Sequence, residues 1–280
     1  MDNLLWRAAE GGVVIAKIIF WDRRTPRGDI KREVHMAKAS LFISLMFMGA
    51  VVLSVQLSAF EEDVFKTSQG DLKITCIGHG SVMFAFAGKI IHVDPVSLAA
   101  DYSQFPKADL ILVTHEHGDH LDLATIESLR KPTTEIVGTE KCAGKVPKAV
   151  VMKNAETRTF QGLKVETVPA YNIVNMRSPG VAYHPKGDGN GYVITFGDRR
   201  VYVAGDTENT PEMKQLKNID VAFLPMNLPY TMSPEMVADA ARAFRPKVLY
   251  PYHYGNTEPS QLVELLKDRK DIEIRIRNMK

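Results

Sequence analysis

Cysteine is almost missing from this 280-residue chain, which has only Cys76 and Cys142. Two cysteines cannot build a disulfide framework, and neither belongs to a C-x-x-C pair, so a zinc ribbon and a dithiol redox site are excluded. One bridge between them stays open; otherwise both read as compact core residues. Net charge is nearly missing too: 35 basic residues against 33 acidic ones leave +2. No overall basic field is present to recruit nucleic acid, and the expected partner is a small-molecule or lipid-like substrate. The sequence shows neither an internal repeat nor a low-complexity tract. Its composition, 45% hydrophobic and 24% charged, is that of a globular protein with room for a sizeable core.

Charge is absent altogether from residues 39–60, which include the apolar run Leu41 to Leu53. Lys31, Arg32 and Lys38 precede the segment and Glu61, Glu62 and Asp63 follow it, an arrangement that places the N-terminus inside and the main domain outside. Met36-Ala37-Lys38, the apolar middle and Leu57-Ser58-Ala59 read as a signal peptide over 36–60. An uncleaved anchor is the alternative, since about 20 residues suffice to span a bilayer. The expected location is therefore periplasmic or extracellular, or membrane-anchored through 39–60 with the domain outside. Residues 1–35 are a leader without a role in either scheme, which suggests that translation starts at Met36. No cysteine ends the apolar segment, so a lipoprotein anchor is not expected.

What the chain does have is histidine in one place. Thr114-His115-Glu116-His117-Gly118-Asp119-His120 holds three of the eight histidines. It follows the short apolar strand Leu110–Val113 and precedes a helix start near Asp122. Imidazole and carboxylate are the usual donors to zinc and related divalent ions, and so many of them on one loop would be costly to leave unpaired.

H-x-H-x-D-H after an apolar strand resembles the signature of the metallo-β-lactamase-fold hydrolases. Within that superfamily the chain looks most like the small hydrolases related to ascorbate-phosphate lactonase and to the N-acyl-phosphatidylethanolamine phospholipase D group. The resemblance implies an α/β fold, the four-layer αββα sandwich, over residues 68–280. The strand and helix signals agree with it, as two sets of strands are each followed by helices. It also implies two divalent metal ions, zinc first, with manganese or iron also compatible. His115 and His117 would hold one metal and Asp119, His120 and His253 the other. Asp206, in Ala204-Gly205-Asp206-Thr207, would join them.

One position departs from the family. Relatives carry a P-A-x-H segment whose histidine completes the first metal's shell, and this chain has Pro169-Ala170-Tyr171-Asn172. Either that metal is weakly held or another residue substitutes, His184 being the one nearby histidine. His79 and Asp94 are expected to orient ligands, His92 and His35 to be structural, and Glu116 to face solvent. Tyr171, Tyr230 and Tyr254 are candidates to line a pocket.

The activity implied is hydrolysis of an ester, lactone or phosphodiester by a metal-bridged hydroxide, with Asp119 or Asp206 shuttling the proton. The large inserted domain of the superfamily's nucleases and the flavin domain of its di-iron oxidoreductases have no counterpart. Two rivals remain: a non-catalytic metal-binding or metal-sensing envelope protein, and a membrane-anchored interaction module in which residues 1–60 matter most.

Overall fold

The computed structural model describes residues 60–280. The expectations for the leader and the apolar segment fall outside these residues, apart from Phe60. The first half of the domain contains β1 (Glu61–Thr67), β2 (Gly70–Gly78), β3 (Ser81–Phe86), β4 (Lys89–Val93), β5 (Leu110–Leu112), helix α1 (Leu123–Leu129), β6 (Glu135–Gly138), α2 (Glu140–Ala143) and β7 (Val150–Val151). The second half contains β8 (Thr157–Phe160), β9 (Leu163–Ala170), a small hairpin of β10 (Met176–Ser178) and β11 (Val181–Ala182), β12 (Gly189–Phe196) and β13 (Arg199–Val203). It ends with α3 (Pro211–Lys214), β14 (Val221–Pro225), α4 (Pro234–Phe244), β15 (Val248–Tyr252), α5 (Ser260–Leu265) and β16 (Glu273–Ile274).

The strands form two seven-stranded sheets, β1-β2-β3-β4-β5-β6-β7 and β16-β15-β14-β13-β12-β9-β8. Taken in chain order, each sheet pairs its first four strands antiparallel and adds its remaining strands parallel. The two halves therefore repeat one topology, although the sequence shows no repeat. Backbone pairing fixes strand order without requiring matching side chains, so the relation is invisible in residue identities. One consequence matters for the site: Asp94 follows β4 and Asp206 follows β13, at corresponding ends of the two sheets.

Between the sheets lies a large apolar core in which Phe84 of one sheet packs on Phe196 and Phe223 of the other, with ring centroids 5.3 and 6.4 Å apart. The outer face of the first sheet is covered by Ile126 and Leu129 of α1 with Cys142 of α2. On the second sheet, Val237, Ala238, Ala241 and Phe244 of α4 do the same. Burying both faces of each sheet produces helix, sheet, sheet and helix layers, the αββα sandwich. Cys76 and Cys142 are both free and buried, as compact core residues.

β1 lies ahead of residue 68, where the sequence places the start of the domain. Glu61, Glu62 and Asp63 read as charges flanking an apolar segment. In the fold Asp63 is instead largely enclosed and pairs with Arg275 and Arg277, each at 2.9 Å, tying the first strand to the end of the chain. His92 is structural, as expected: it has no exposed surface, and burial pulls its pKa down to about 4. Glu116 departs from expectation, being half-buried and paired with Lys141 at 3.2 Å.

Candidate metal centre

The loop after β5 takes its shape from Asp94. The Asp94 carboxylate accepts from Thr114 N at 2.7 Å and Thr114 Oγ1 at 2.6 Å, and it meets His120 Nδ1 at 2.7 Å. The His120 and Leu121 amides both donate to the His117 carbonyl, at 3.0 and 2.8 Å, which winds residues 117–121 into one tight turn. His115, Asp119 and His120 thereby face the same space. Asp94 thus holds the His120 ring by Nδ1 and fixes which nitrogen of His120 points inward.

Two glycines make this approach possible. A Cβ on Gly80 would sit 2.7 Å from the His120 ring, and one on Gly205 would sit 2.9 Å from Thr114 Cβ. Gly205 also has φ +67°, a left-handed conformation natural to glycine. It turns the chain after β13 so that Asp206 enters the cluster. His79, Asp94 and His253 adopt positive φ as well, at 50°, 46° and 46°. Strained backbone of this kind collects at functional sites, where the surrounding structure enforces it.

All seven residues expected from the sequence meet. Donor atoms of His115, His117 and His184 form one tight group, those of Asp119, His120 and His253 with His79 a second, and those of His115, His120 and Asp206 a third that bridges them. Asp206 lies 3.3 Å from His120 Nε2, 3.4 Å from His184 Nε2 and 3.5 Å from His253 Nε2. It is not the cap of a following helix, because α3 is capped by Thr210. His79 belongs to the cluster more closely than the sequence implied, with Nε2 3.1 Å from Asp119 Oδ2 and its ring 3.8 Å from that of His253.

Charge in the cluster is unevenly divided. Burial, with the neighbouring His120 charge, drives the His115 imidazole well below its ordinary pKa. Burial also opposes charge on His120, but Asp206 and Asp94 on its two sides outweigh that and raise its pKa well above the usual value. Asp206 pays the same burial penalty, yet His253 and His120 hold its carboxyl well below the carboxylate range. Burial likewise works against the Asp119 anion, which His253 and His79 keep far below its ordinary pKa.

Asn172, where the sequence departs from the family, is bonded to His184. Its side-chain oxygen accepts from His184 N at 2.8 Å and lies 2.8 Å from His184 Nδ1. Asn172 is therefore turned towards the imidazole, and an N–H at Nδ1 donating to it leaves Nε2 free to face Asp206. The Asn172 amide nitrogen donates to Glu208 Oε1 at 3.2 Å and to the Tyr230 carbonyl at 2.9 Å. Glu208 is fully buried, and its carboxylate also accepts from the backbone amides of Ile173, Val174 and Asn175 at 2.9, 2.8 and 2.6 Å. Sequence reasoning missed Glu208, because an acid two residues before the cap of a helix reads as ordinary surface charge.

A cavity of about 450 Å³ opens onto the cluster. Besides His79, His117, Asp119, His184, Asp206 and His253, it is lined by Arg177, Tyr183, Asn227 and Tyr230. Of the three tyrosines singled out in the sequence, Tyr230 lines it. Tyr171 and Tyr254 do not; they are buried, with hydroxyls donating to Glu212 Oε2 at 2.9 Å and to the Arg277 carbonyl at 3.0 Å.

Whether these residues suit a metal can be asked of their unpaired atoms. His115 Nε2, His120 Nε2, His253 Nε2 and Asp206 Oδ1 are all buried and make no well-formed hydrogen bond, although His120 Nε2 and Asp206 Oδ1 face each other at 3.3 Å. A buried polar atom left unpaired costs about 1–3 kcal/mol. Four such poorly satisfied atoms within one cluster fit a group that accepts electron pairs from all of them. The donors are nitrogen and oxygen with no thiolate, a set suited to zinc, manganese or iron.

The beta-lactamase superfamily domain matches residues 73–253. The chain belongs to the beta-lactamase superfamily. A UPF0173 metal-dependent hydrolase of Pelotomaculum thermopropionicum is 30% identical over 198 residues, covering 67% of this chain and 86% of the relative. A second, from Thermococcus kodakarensis, is 30% identical over 221 residues, or 72% and 96% of the two chains. Among solved structures, a metal-dependent hydrolase of Parabacteroides distasonis is 52% identical with a TM-score of 0.75, covering 79% of this chain and 100% of its own. A metallo hydrolase of Ignicoccus hospitalis is 25% identical with a TM-score of 0.61, over 73% and 94%. This superfamily member is accordingly a metal-dependent hydrolase, with the metallo-β-lactamase fold that the H-x-H-x-D-H loop implied.

Proposed function

We propose that the domain hydrolyses an ester, lactone or phosphodiester bond of a small-molecule substrate at a centre of two divalent metal ions. His115, His117 and His184 would hold the first metal and Asp119, His120 and His253 the second, with Asp206 between them. The observation that carries this reading is the convergence of four buried donor atoms without a well-formed hydrogen bond beneath an open cavity. When bound, such a pair of ions supplies charge stabilisation and lowers the pKa of water to about 7.

The protein's own residues do the rest. Asp94 and Asn172 hold His120 and His184 by their outer nitrogens, so that the inner ones face the cluster. Asp119 is the better placed of the two carboxylates to move a proton. Its side chain is 39% exposed, whereas that of Asp206 is 4% exposed and surrounded by imidazoles. Asp119 would pass a proton from the attacking water on to the leaving group, and His79 Nε2, 3.1 Å from its Oδ2, holds the carboxylate in place. The rival reading, a metal-binding protein without catalysis, has no use for a 450 Å³ cavity leading to the donors, since structural metal sites are closed.

Chelation with dipicolinate tests this reading. Turnover of bis(p-nitrophenyl) phosphate and of an ester and lactone panel should fall at least about 100-fold and return with added Zn²⁺ or Mn²⁺. Unchanged turnover after metal removal verified by elemental analysis would contradict it.

A further inference from the structure

Most of the cavity wall belongs to the cluster, but one stretch is built differently. The β10–β11 hairpin carries Arg177, whose guanidinium sits 5.9 Å from the centroid of the Tyr183 ring. Tyr183 in turn packs edge-on against Tyr230 with centroids 5.1 Å apart. All three line the cavity. No carboxylate among the described residues pairs with Arg177, whereas the other described arginines, Arg245 excepted, each have an acidic partner.

The hairpin that carries this arginine and the segments near it in the chain expose apolar side chains. Ile173, Val174, Met176, Val181, Leu228 and Tyr230 are more than half of the large hydrophobic side chains left exposed among the described residues. They fall on two neighbouring segments. Asn172 donates to the Tyr230 carbonyl and Asn175 to the Thr231 carbonyl, each at 2.9 Å, which joins residues 172–175 to 230–231. Of these six Tyr230 lines the cavity, and hydrophobic surface concentrated on the segments that carry cavity-lining residues marks a binding surface, where scattered residues would not.

We propose that Arg177, with Tyr183 and Tyr230, forms a subsite for a substrate carrying an anionic group next to an apolar chain. The guanidinium fork matches a carboxylate or a phosphate through paired hydrogen bonds. The tyrosine faces and the apolar rim take the chain beyond it, and the scissile bond is left over the His and Asp cluster. This assignment rests on the hydrolase reading and narrows it to anionic amphiphiles. The recognising chemistry is common to a fatty carboxylate and an alkyl phosphate.

Calorimetric titration of the metal-loaded, full-length protein with octanoate, octyl phosphate, octanamide and acetate tests it, binding being read without turnover. Octanoate or octyl phosphate should bind at least about tenfold more tightly than octanamide, and the better of the two names the anion. In Arg177→Gln that preference should fall to within about twofold, while Arg177→Lys keeps part of it. Tyr230→Ala should weaken the octyl anion and leave acetate unchanged. If the preference survives in Arg177→Gln, the anion is held by the cluster and the proposal is overturned; equal binding of octanoate and octanamide overturns it too. Turnover of p-nitrophenyl esters, followed in parallel, reports separately on the hydrolase reading.

Discussion

Replacing Asp206 by asparagine should lower hydrolysis about 10³-fold and strip the protein of bound metal. Among the described residues Asp206 is the one whose carboxylate reaches both histidine groups, at 3.3 Å from His120 and 3.4 Å from His184. Asparagine preserves its shape and removes its charge. The loss corresponds to about 4 kcal/mol of transition-state stabilisation, within what a metal centre contributes. Elemental analysis alongside initial rates checks it. Full metal content with near-normal rates would mean that Asp206 only fills space.

A second large effect is expected from a residue that does not line the cavity. Glu208→Ala removes a fully buried carboxylate that accepts from three consecutive backbone amides and from Asn172. Leaving those donors unpaired should cost about 3 kcal/mol, or roughly a 10 °C fall in Tm for a domain of this size. Because Asn172 holds His184, the first metal should also bind about 10- to 100-fold more weakly. Asn172→Ala separates the two effects: it should reproduce the weakened metal binding with a smaller loss of Tm. Thermal melts and competitive zinc titration check both variants. A Glu208→Ala protein with normal Tm and normal metal affinity would show that the chain from Glu208 through Asn172 to His184 does nothing.

The sequence made the densest part of this site readable. His115, His117, Asp119 and His120 lie within six residues, so local spacing alone shows that they share a loop, while Asp206 and His253 stand just past apolar strands. The sandwich was readable for a similar reason, since short apolar strands and helix caps such as Ser233-Pro234 are local signals. His184 was harder, because a histidine twelve residues beyond Asn172 gives no local sign that it folds back onto it. Glu208 and Arg177 were out of reach altogether. Glu208 acts on amides 33 to 36 residues earlier, and Arg177 matters only because a two-stranded hairpin carries it to the cavity. β1 was hidden by its own acids, whose arginine partners lie more than two hundred residues away.

The central claim, that His184 completes one of two metal sites joined by Asp206, is tested most directly by anomalous diffraction at the zinc edge from crystals of the zinc-loaded protein. Two peaks are predicted. One should lie about 2.0–2.1 Å from a nitrogen of each of His115, His117 and His184, and the other should be bound by Asp119, His120 and His253. A single peak, or two peaks with His184 turned away from both, would contradict the account.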